Sequence, residues 1–376
     1  MNAVEYVGKD VLAAAGFNVP EGGVAASPEA AAAIARRLNR RVALKAQIPS
    51  GKRGKGGGIL FADDPAAARD AAQTLLGSTI AGFAVREVLV EAAVPFVREC
   101  YAAVLNDPAA RGPRFLFSAS GGMDVEDVPA DRMHQLALDI REPFALEAAR
   151  ALVRGSHAAV EHVEALARAL VALYVVYRAN DAELVEINPL VVTPSGDAVA
   201  LDCKLVLDDS ARKRHEELFA RAEAALGEQG TELERRARAL GLLYMELDGD
   251  VGVLANGAGL TMTTMDVIAH YGGRAANFME IGGEAYTKAT PALEIVLANP
   301  NVRSLLVNFC GAFAQTDVMA RGVADAVAAL KPAVPMVFTI HGTGEDAAIA
   351  IVRDELGIEP YDSMDDAVKA AIAAAR

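Results

Sequence analysis

At 376 residues the chain can hold two or three domains with full cores, and with 53% hydrophobic and 23% charged residues it is globular, which excludes a disordered polymer. Its 36 Lys and Arg against 50 Asp and Glu give a formal charge of −14, which argues against broad nucleic-acid or anionic-membrane binding; a local nest of amides and lysines can still take an anion. The three cysteines (Cys100, Cys203, Cys310) sit in apolar runs without metal-ligand spacing, so buried thiols in a reducing compartment are expected. The N-terminal MNAVEYVGKD lacks the basic and apolar regions of a secretory signal, and no uncharged apolar run reaches the length of a membrane span, so a cytoplasmic protein is expected.

In chain order, Val4 to Ala15 reads as an amphipathic helix stopped by Gly16. Ser27-Pro28-Glu29 starts a second helix, with an N-cap and a proline at the first helical position, running to about Leu38. Arg41 to Gln47 is a strand that delivers Lys45 near its end. The next stretch, SGKRGKGGG from Ser50 to Gly58, combines glycines with Lys52, Arg53 and Lys55. Backbone N–H groups in such a loop can approach phosphate oxygens while the cations neutralise them, although GxxxxGK[ST] is absent. The same composition suits a surface linker; the strand lysine ahead of it favours phosphate binding. Asp64 to Leu76 is helical. Val85 to Glu91 is a strand, Glu99 to Leu105 and Arg114 to Ser118 continue a sheet, and Pro143 to Arg154 and His162 to Tyr177 are amphipathic helices.

The stretch VEINPLVVTPSGDAVALDCK, Val185 to Lys204, reads as a β-hairpin turning at Ser195-Gly196. Folded so, Asn188 lies opposite or nearly opposite Asp202, and Glu186 shares a face with Asn188 because strand side chains alternate. One amide oxygen and two carboxylates then converge, a hard oxygen set that suits Mg²⁺ completed by water and nucleotide phosphates. Taken alone, Asn188-Pro189 reads sooner as a strand end and Asp202 as a solvated edge residue; the rest of the chain changes that.

Ser210 to Arg238 is charged and helical and carries the domain boundary, giving domains 1–232 and 233–376. Beyond it, strands at Val251–Ala255, Ala275–Phe278, Ser304–Phe309 and Val334–Ile340 alternate with helices near 262–271, 287–298, 317–330, 345–354 and 364–375, a doubly wound α/β pattern. Each strand empties into Gly or Asn: Asn256-Gly257, Gly282-Gly283, Gly311, and His341-Gly342. Ligands in such sheets bind at the carboxyl ends of the strands.

Together these motifs resemble the β-subunits of succinyl-CoA synthetase, NDP-forming acyl-CoA ligases in which an ATP-grasp half precedes a flavodoxin-like ligase domain. The resemblance runs the length of the chain: LKAQ…GKRGKGGG, VLVEAAVPFVRECY, SGGMDVEDV, VEINPLVVT…GDAVALDCK, VLANGAGLTMTTMDVI, GGRAANFMEIGG and VNFCGAF occur in family order. It implies that Lys45 and the loop Lys52-Arg53-Gly54 hold the phosphates of ATP or GTP, and that Glu91, the backbone at Val94 and Glu99 line the adenine and ribose side. It implies Asn188 and Asp202 as Mg²⁺ ligands, and Glu186 as the glutamate met by a phosphohistidine visiting the nucleotide. Asn256 and Gly311-Ala312-Phe313-Ala314 match the positions contacting a small carboxylic acid substrate. The histidine and the CoA site belong to an α-subunit, so a heterodimer or heterotetramer is implied, working in the tricarboxylic acid cycle and active as a ligase only when assembled. Accordingly His134, His157, His162, His215 and His270 are read as lying in helices or charged surface stretches, and His341 as following a strand.

Departures fall in the phosphate loop and at the far end. Pro49 and Lys52 intervene in the phosphate loop, Glu284 enters the GGGA motif, and the family's GGIVRCD reads Gly311-Ala312-Phe313-Ala314-Gln315-Thr316-Asp317. The RLxGTN motif becomes Thr339-Ile340-His341-Gly342-Thr343-Gly344. Succinate is the acid implied by resemblance, with malate or citrate as the alternative; a nucleotide-binding subunit without ligase activity is a further reading, opposed by the presence of Lys45, Arg53, Asn188 and Asp202.

Overall fold

The computed structural model describes residues 1–49, 56–123, 125, 128–156, 158, 160–227, 230–282 and 285–376, without the side chains of 160, 285 and 286. It divides into two units, Met1–Gly227 and Glu228–Arg376. The first begins β1 (Asn2–Ala3), α1 (Glu5–Ala14), β2 (Gly22–Ala25), α2 (Pro28–Leu38), β3 (Val42–Ala46), β4 (Ile59–Ala62), α3 (Pro65–Leu75), β5 (Thr79–Ile80), β6 (Phe83–Ala84) and β7 (Val88–Ala92). It continues β8 (Arg98–Asp107), β9 (Gly112–Ser118), β10 (His134–Ala137), α4 (Leu146–Gly155), α5 (Val163–Ala179), β11 (Ala182–Val192), β12 (Ala198–Ala200), β13 (Lys204–Leu207) and α6 (Glu216–Leu226).

Local chemistry sets the helix starts. Ser27 accepts from the Ala30 N–H ahead of Pro28, and Asp64 accepts from the Ala67 N–H ahead of Pro65, so both helices open on a side-chain cap and a proline. These two helices are alanine-rich. Their small faces (Ala31, Ala35, Ala68, Ala72) close on Val42, Leu44, Ala46, Val88 and Val90, one side of the four-stranded sheet β2-β7-β3-β4. The alternate residues Lys45 and Glu91 therefore point to the opposite side. The larger sheet runs β1-β13-β11-β8-β9-β10, with β12 also paired to β11. On one face Cys100, Ala102, Val104, Val185 and Ile187 pack with Leu166, Leu170 and Leu173 of α5, which recur at helical spacing. Its other face carries Glu99, Tyr101 and Glu186.

The second unit follows as α7 (Glu232–Ala239), β14 (Leu243–Glu246), β15 (Val251–Asn256), α8 (Ala258–His270), β16 (Asn277–Ile281), α9 (Ala285–Ala298), β17 (Ser304–Gly311), α10 (Thr316–Leu330), β18 (Met336–Gly342), α11 (Glu345–Leu356) and α12 (Met364–Ala374). Its sheet order is β14-β16-β15-β17-β18, parallel except for the edge strand β14. Alternation along the strands divides the core. Leu254, Leu305, Val307, Phe309, Phe338 and Ile340 share one cluster with Ala292, Leu293, Val296, Ala320 and Val323. Val251, Val253, Ala255, Leu306 and Val337 share the other with Ile268, Ala367, Val368 and Ala371. Because β15 sends the chain first to β16 on one side and then to β17 on the other, a crevice forms at the carboxyl ends of β15 and β17.

Several expectations are corrected. The hairpin is interrupted at 201–203 and resumes as β13; β1, β2, β4, β10 and β14 are strands that sequence patterning did not single out. His134 opens a strand, and His341 lies inside β18. Cys310 is exposed, because β17 runs past its covering helices at the crest, whereas Cys100 and Cys203 are buried as expected. Among the described residues no helix is long and apolar enough to cross a membrane.

Candidate functional site

In the first unit, β11 pairs Leu190 with Ala200 in β12 and Glu186 with Lys204 in β13. Continuing either stretch by two residues places Asn188 directly across from Asp202. The register against β8 shifts between Ile187 and Leu190, where the Asn188–Pro189 bond is cis. Glu186 pairs with Ala103 on β8, so it shares a face with Tyr101, whose O–H donates to Glu186 Oε2 at 2.9 Å. The loop after β9 closes over this face. The Gly121 N–H donates to the Glu99 carbonyl at 3.1 Å, and the Gly122 N–H donates to Asn188 Oδ1 at 2.9 Å. Asn188 Nδ2 in turn donates to the Met123 carbonyl at 2.8 Å. A Cβ at Gly122, which has φ +73°, would lie 2.6 Å from Glu99 Oε2, so only glycine brings this loop between Glu99 and Asn188. Asp202 Oδ1 accepts from the Cys203 N–H at 2.6 Å.

Below this face lies a buried cluster of charges. Lys45, Glu91, Glu5 and Lys9 are 8%, 2%, 1% and 4% exposed. Lys45 Nζ lies 2.5 Å from Glu91 Oε1 and 3.1 Å from Glu5 Oε1, and also donates to the Leu201 carbonyl, one residue before Asp202. Lys9 Nζ donates to both Glu91 oxygens at 2.8 and 2.6 Å and lies 3.0 Å from Glu5 Oε1. Burial opposes the charge on Lys45, but Glu5, Glu91 and Asp202 outweigh it and push its pKa well above the ordinary lysine value. The lysine is therefore a firm cation tied to the segment carrying Asp202.

Lys45, Glu91, Asn188 and Asp202 thus meet around one region, with Glu99 and Glu186 on the sheet face above it. Val94 follows β7 and is half-buried. The expected phosphate residues Lys52, Arg53 and Gly54 lie outside the described residues, as does Glu284. Sequence reasoning missed Glu5 and Lys9, and it gave Gly121-Gly122, within the SGGMDVEDV motif, no role. Glu5 and Lys9 are one helical turn apart and read as an ordinary solvated pair; nothing local in EYVGK says that both are buried. Among the described residues no three or more His, Cys, Asp or Glu converge as a metal cage. The oxygen pair of Asn188 and Asp202 fits a hard cation that keeps water and phosphate ligands, and the Asn188 amide oxygen has a second lone pair beyond its bond to Gly122.

In the second unit, Asn256 ends β15 at the crevice. Its Nδ2 donates to the Cys310 carbonyl at 2.9 Å, and its Oδ1 accepts from the Cys310 N–H at 2.8 Å, so a side-chain amide clamps β15 to β17. Gly311 is held against β18, where the Thr343 N–H donates to the Gly311 carbonyl at 3.2 Å and Thr343 Oγ1 donates to the Ala312 carbonyl at 3.0 Å. Phe313 projects fully into solvent, 106% exposed, between exposed Ala312 and half-buried Ala314. His341 Nδ1 lies 3.7 Å from Glu345 Oε1 at the neighbouring strand end.

Residues 2–192 match the model of the ATP-grasp domain, and residues 254–374 that of the CoA-ligase domain. The chain is 40% identical over 378 residues to the GDP-forming succinate–CoA ligase subunit β of Thermus thermophilus, covering 99% of this chain and 98% of the relative. It is 40% identical over 385 residues to the ADP-forming succinate–CoA ligase subunit β of Rubrobacter xylanophilus, covering 100% and 99%. Among solved structures, ATP citrate lyase from Methanothrix soehngenii in complex with citrate and coenzyme A has a TM-score of 0.79 at 20% identity over 99% of both chains, a likeness of fold. With both domains matched and full-length identity at this level, the chain belongs to the succinate–CoA ligase β-subunit family, NDP-forming acid–thiol ligases built from an ATP-grasp domain and a CoA-ligase domain.

Proposed function

We propose that this chain binds Mg·nucleotide on the polar face of its first unit and a small carboxylic acid at the crest of its second, while an α-subunit brings the phosphohistidine and the CoA site. The observation that carries the nucleotide half is the register that sets Asn188 across from Asp202, with Lys45 bonded to the adjoining Leu201 carbonyl. Asn188 and Asp202 would hold Mg²⁺, which when bound offsets the charge of the nucleotide phosphates. Lys45 adds a cation beside them. Glu99 and Val94 border the same region and would meet the nucleoside, and Glu186, its carboxylate fixed by the Tyr101 hydroxyl, would orient the visiting imidazole. The phosphoryl group passes from nucleotide to that histidine and then to the acid's carboxylate, and the CoA thiol displaces phosphate from the acyl phosphate to give the thioester.

For the acid, Asn256 keeps the crevice open as a rigid edge, and the loop from Gly311 to Ala314 forms its rim. Succinate is the acid named for the relatives; the fully exposed Phe313 favours a second reading in which the rim selects another carboxylate such as malate or citrate. The deciding experiment uses the chain co-purified with its α-subunit and a panel of succinate, malate, citrate and monocarboxylates. Thioester formation with one preferred acid is expected; a stable complex that binds Mg·nucleotide but turns over none of them would leave a non-catalytic subunit. Asp202→Ala is expected to abolish Mg·nucleotide binding, and unchanged affinity in Mg²⁺ buffer would refute the metal assignment.

A further inference from the structure

Helix α1 carries two charged side chains that the nucleotide reading does not use, Glu5 and Lys9. The helix is wedged between the two sheets of its unit. On one side the Tyr6 N–H donates to Gln47 Oε1 at 3.1 Å, and Gln47 Nε2 donates to the Lys45 carbonyl at 3.0 Å, so α1 reads the end of β3 directly. On the other side Gly8 meets the hairpin so closely that a Cβ there would lie 2.7 Å from Cys203 Sγ, next to Asp202. From this position Lys9 touches the same two carboxylates that Lys45 touches: Glu5, at 3.0 Å from Lys9 and 3.1 Å from Lys45, and Glu91, at 2.6 and 2.5 Å. Two buried carboxylates are thus shared by two ammonium groups.

This sharing has a consequence for Lys45. A lysine that supplies much of the counter-charge of two buried carboxylates is held to them, because stripping counter-charge from the interior is strongly unfavourable. With Lys9 in place, Lys45 can turn towards a phosphate and both carboxylates still keep a cation in contact. We propose that Lys9 is a positioning residue that holds the counter-charge of Glu5 and Glu91 and so frees Lys45 for the nucleotide phosphates. The proposal rests on the reading of Lys45 as a phosphate-binding lysine. It also accounts for the charge pattern: of these four side chains, the three left behind when Lys45 moves carry one net negative charge, and removing Lys9 would make it two.

The test measures the Kd of the enzyme, co-purified with its α-subunit, for Mg·ATP and Mg·GTP by calorimetry, together with KM values for nucleotide and CoA. Lys9→Met is expected to raise the nucleotide Kd and KM by about tenfold or more, because Lys45 stays pinned, and to leave the KM for CoA unchanged. The double variant Glu5→Gln with Lys9→Met restores one net negative charge behind a departing Lys45, and its nucleotide Kd is expected to return towards wild type. Lys9→Arg should also preserve binding. A purely structural ion pair would lower stability to urea and leave the nucleotide Kd of the folded enzyme unchanged, so a Lys9→Met enzyme with wild-type nucleotide affinity, or a double variant that binds no better than Lys9→Met, overturns the proposal. Should Lys9→Met fail to fold, the double variant decides alone: near-wild-type affinity supports the proposal and weakened binding overturns it. Wild-type enzyme that binds neither nucleotide would overturn instead the reading on which the proposal rests.

Discussion

The two candidate sites are built on opposite principles. In the first unit, four ionised side chains are buried together and every one touches two others, so the geometry is held by charge in a poorly polarisable interior. At the crest of the second unit the framework is neutral: an asparagine amide clamps two strand ends, backbone groups hold the loop, and the side chain that differs most from the family pattern hangs in solvent. A charge network tolerates little, since each member stabilises the others and each loss leaves a buried charge uncompensated. A backbone framework tolerates changes of side chain on its rim. Under the proposed reading, the rim of the second unit is where the acid can change without changing the nucleotide chemistry.

The sharpest test of this contrast is Lys45→Met. It is expected to abolish Mg·nucleotide binding and to destabilise the first unit by about 1–3 kcal/mol, less than the loss of an unshared buried pair because Lys9 keeps a cation on both carboxylates. Calorimetry gives the first and urea unfolding the second; a variant as stable as wild type would show that the network is not a stabilising unit. Next in size is Gly8→Ala, which drives a methyl group towards Cys203 Sγ and should cost roughly 1–3 kcal/mol by overpacking. Cys203→Ala in the same chain should recover much of that loss, and if it recovers none, the close approach of α1 to the hairpin is not what limits the site. The smallest effect on stability belongs to Phe313→Val with Ala312→Gly, within about 0.5 kcal/mol of wild type, because both side chains are exposed. The same variant is expected to shift the preference among acids. An unaltered acid profile in the thioester assay would remove the 311–314 loop from the account of specificity.

Much of this was legible before any coordinates. The N-cap at Ser27, the alternation of strands and helices after residue 250, and the turn at Ser195-Gly196 all follow from local rules of capping, periodicity and turn chemistry. The hairpin turn put Asn188 opposite or nearly opposite Asp202, because a two-strand register is determined by where the chain reverses, and the ladder pairs on either side of 201–203 make them directly opposed. What the tertiary structure alone decided is which charges are buried and with whom. Lys45 was visible as a strand lysine, but its partners come from α1 and β7, and no spacing rule connects Glu5 or Lys9 to residues so distant in the chain. The exposure of Cys310 likewise depends on how far the helices cover the end of β17, and the role of Gly122 on a loop crossing β8. Patterns along a chain report the face a residue presents to its own element; burial and long-range ion pairing depend on how separate elements pack, which no single element encodes.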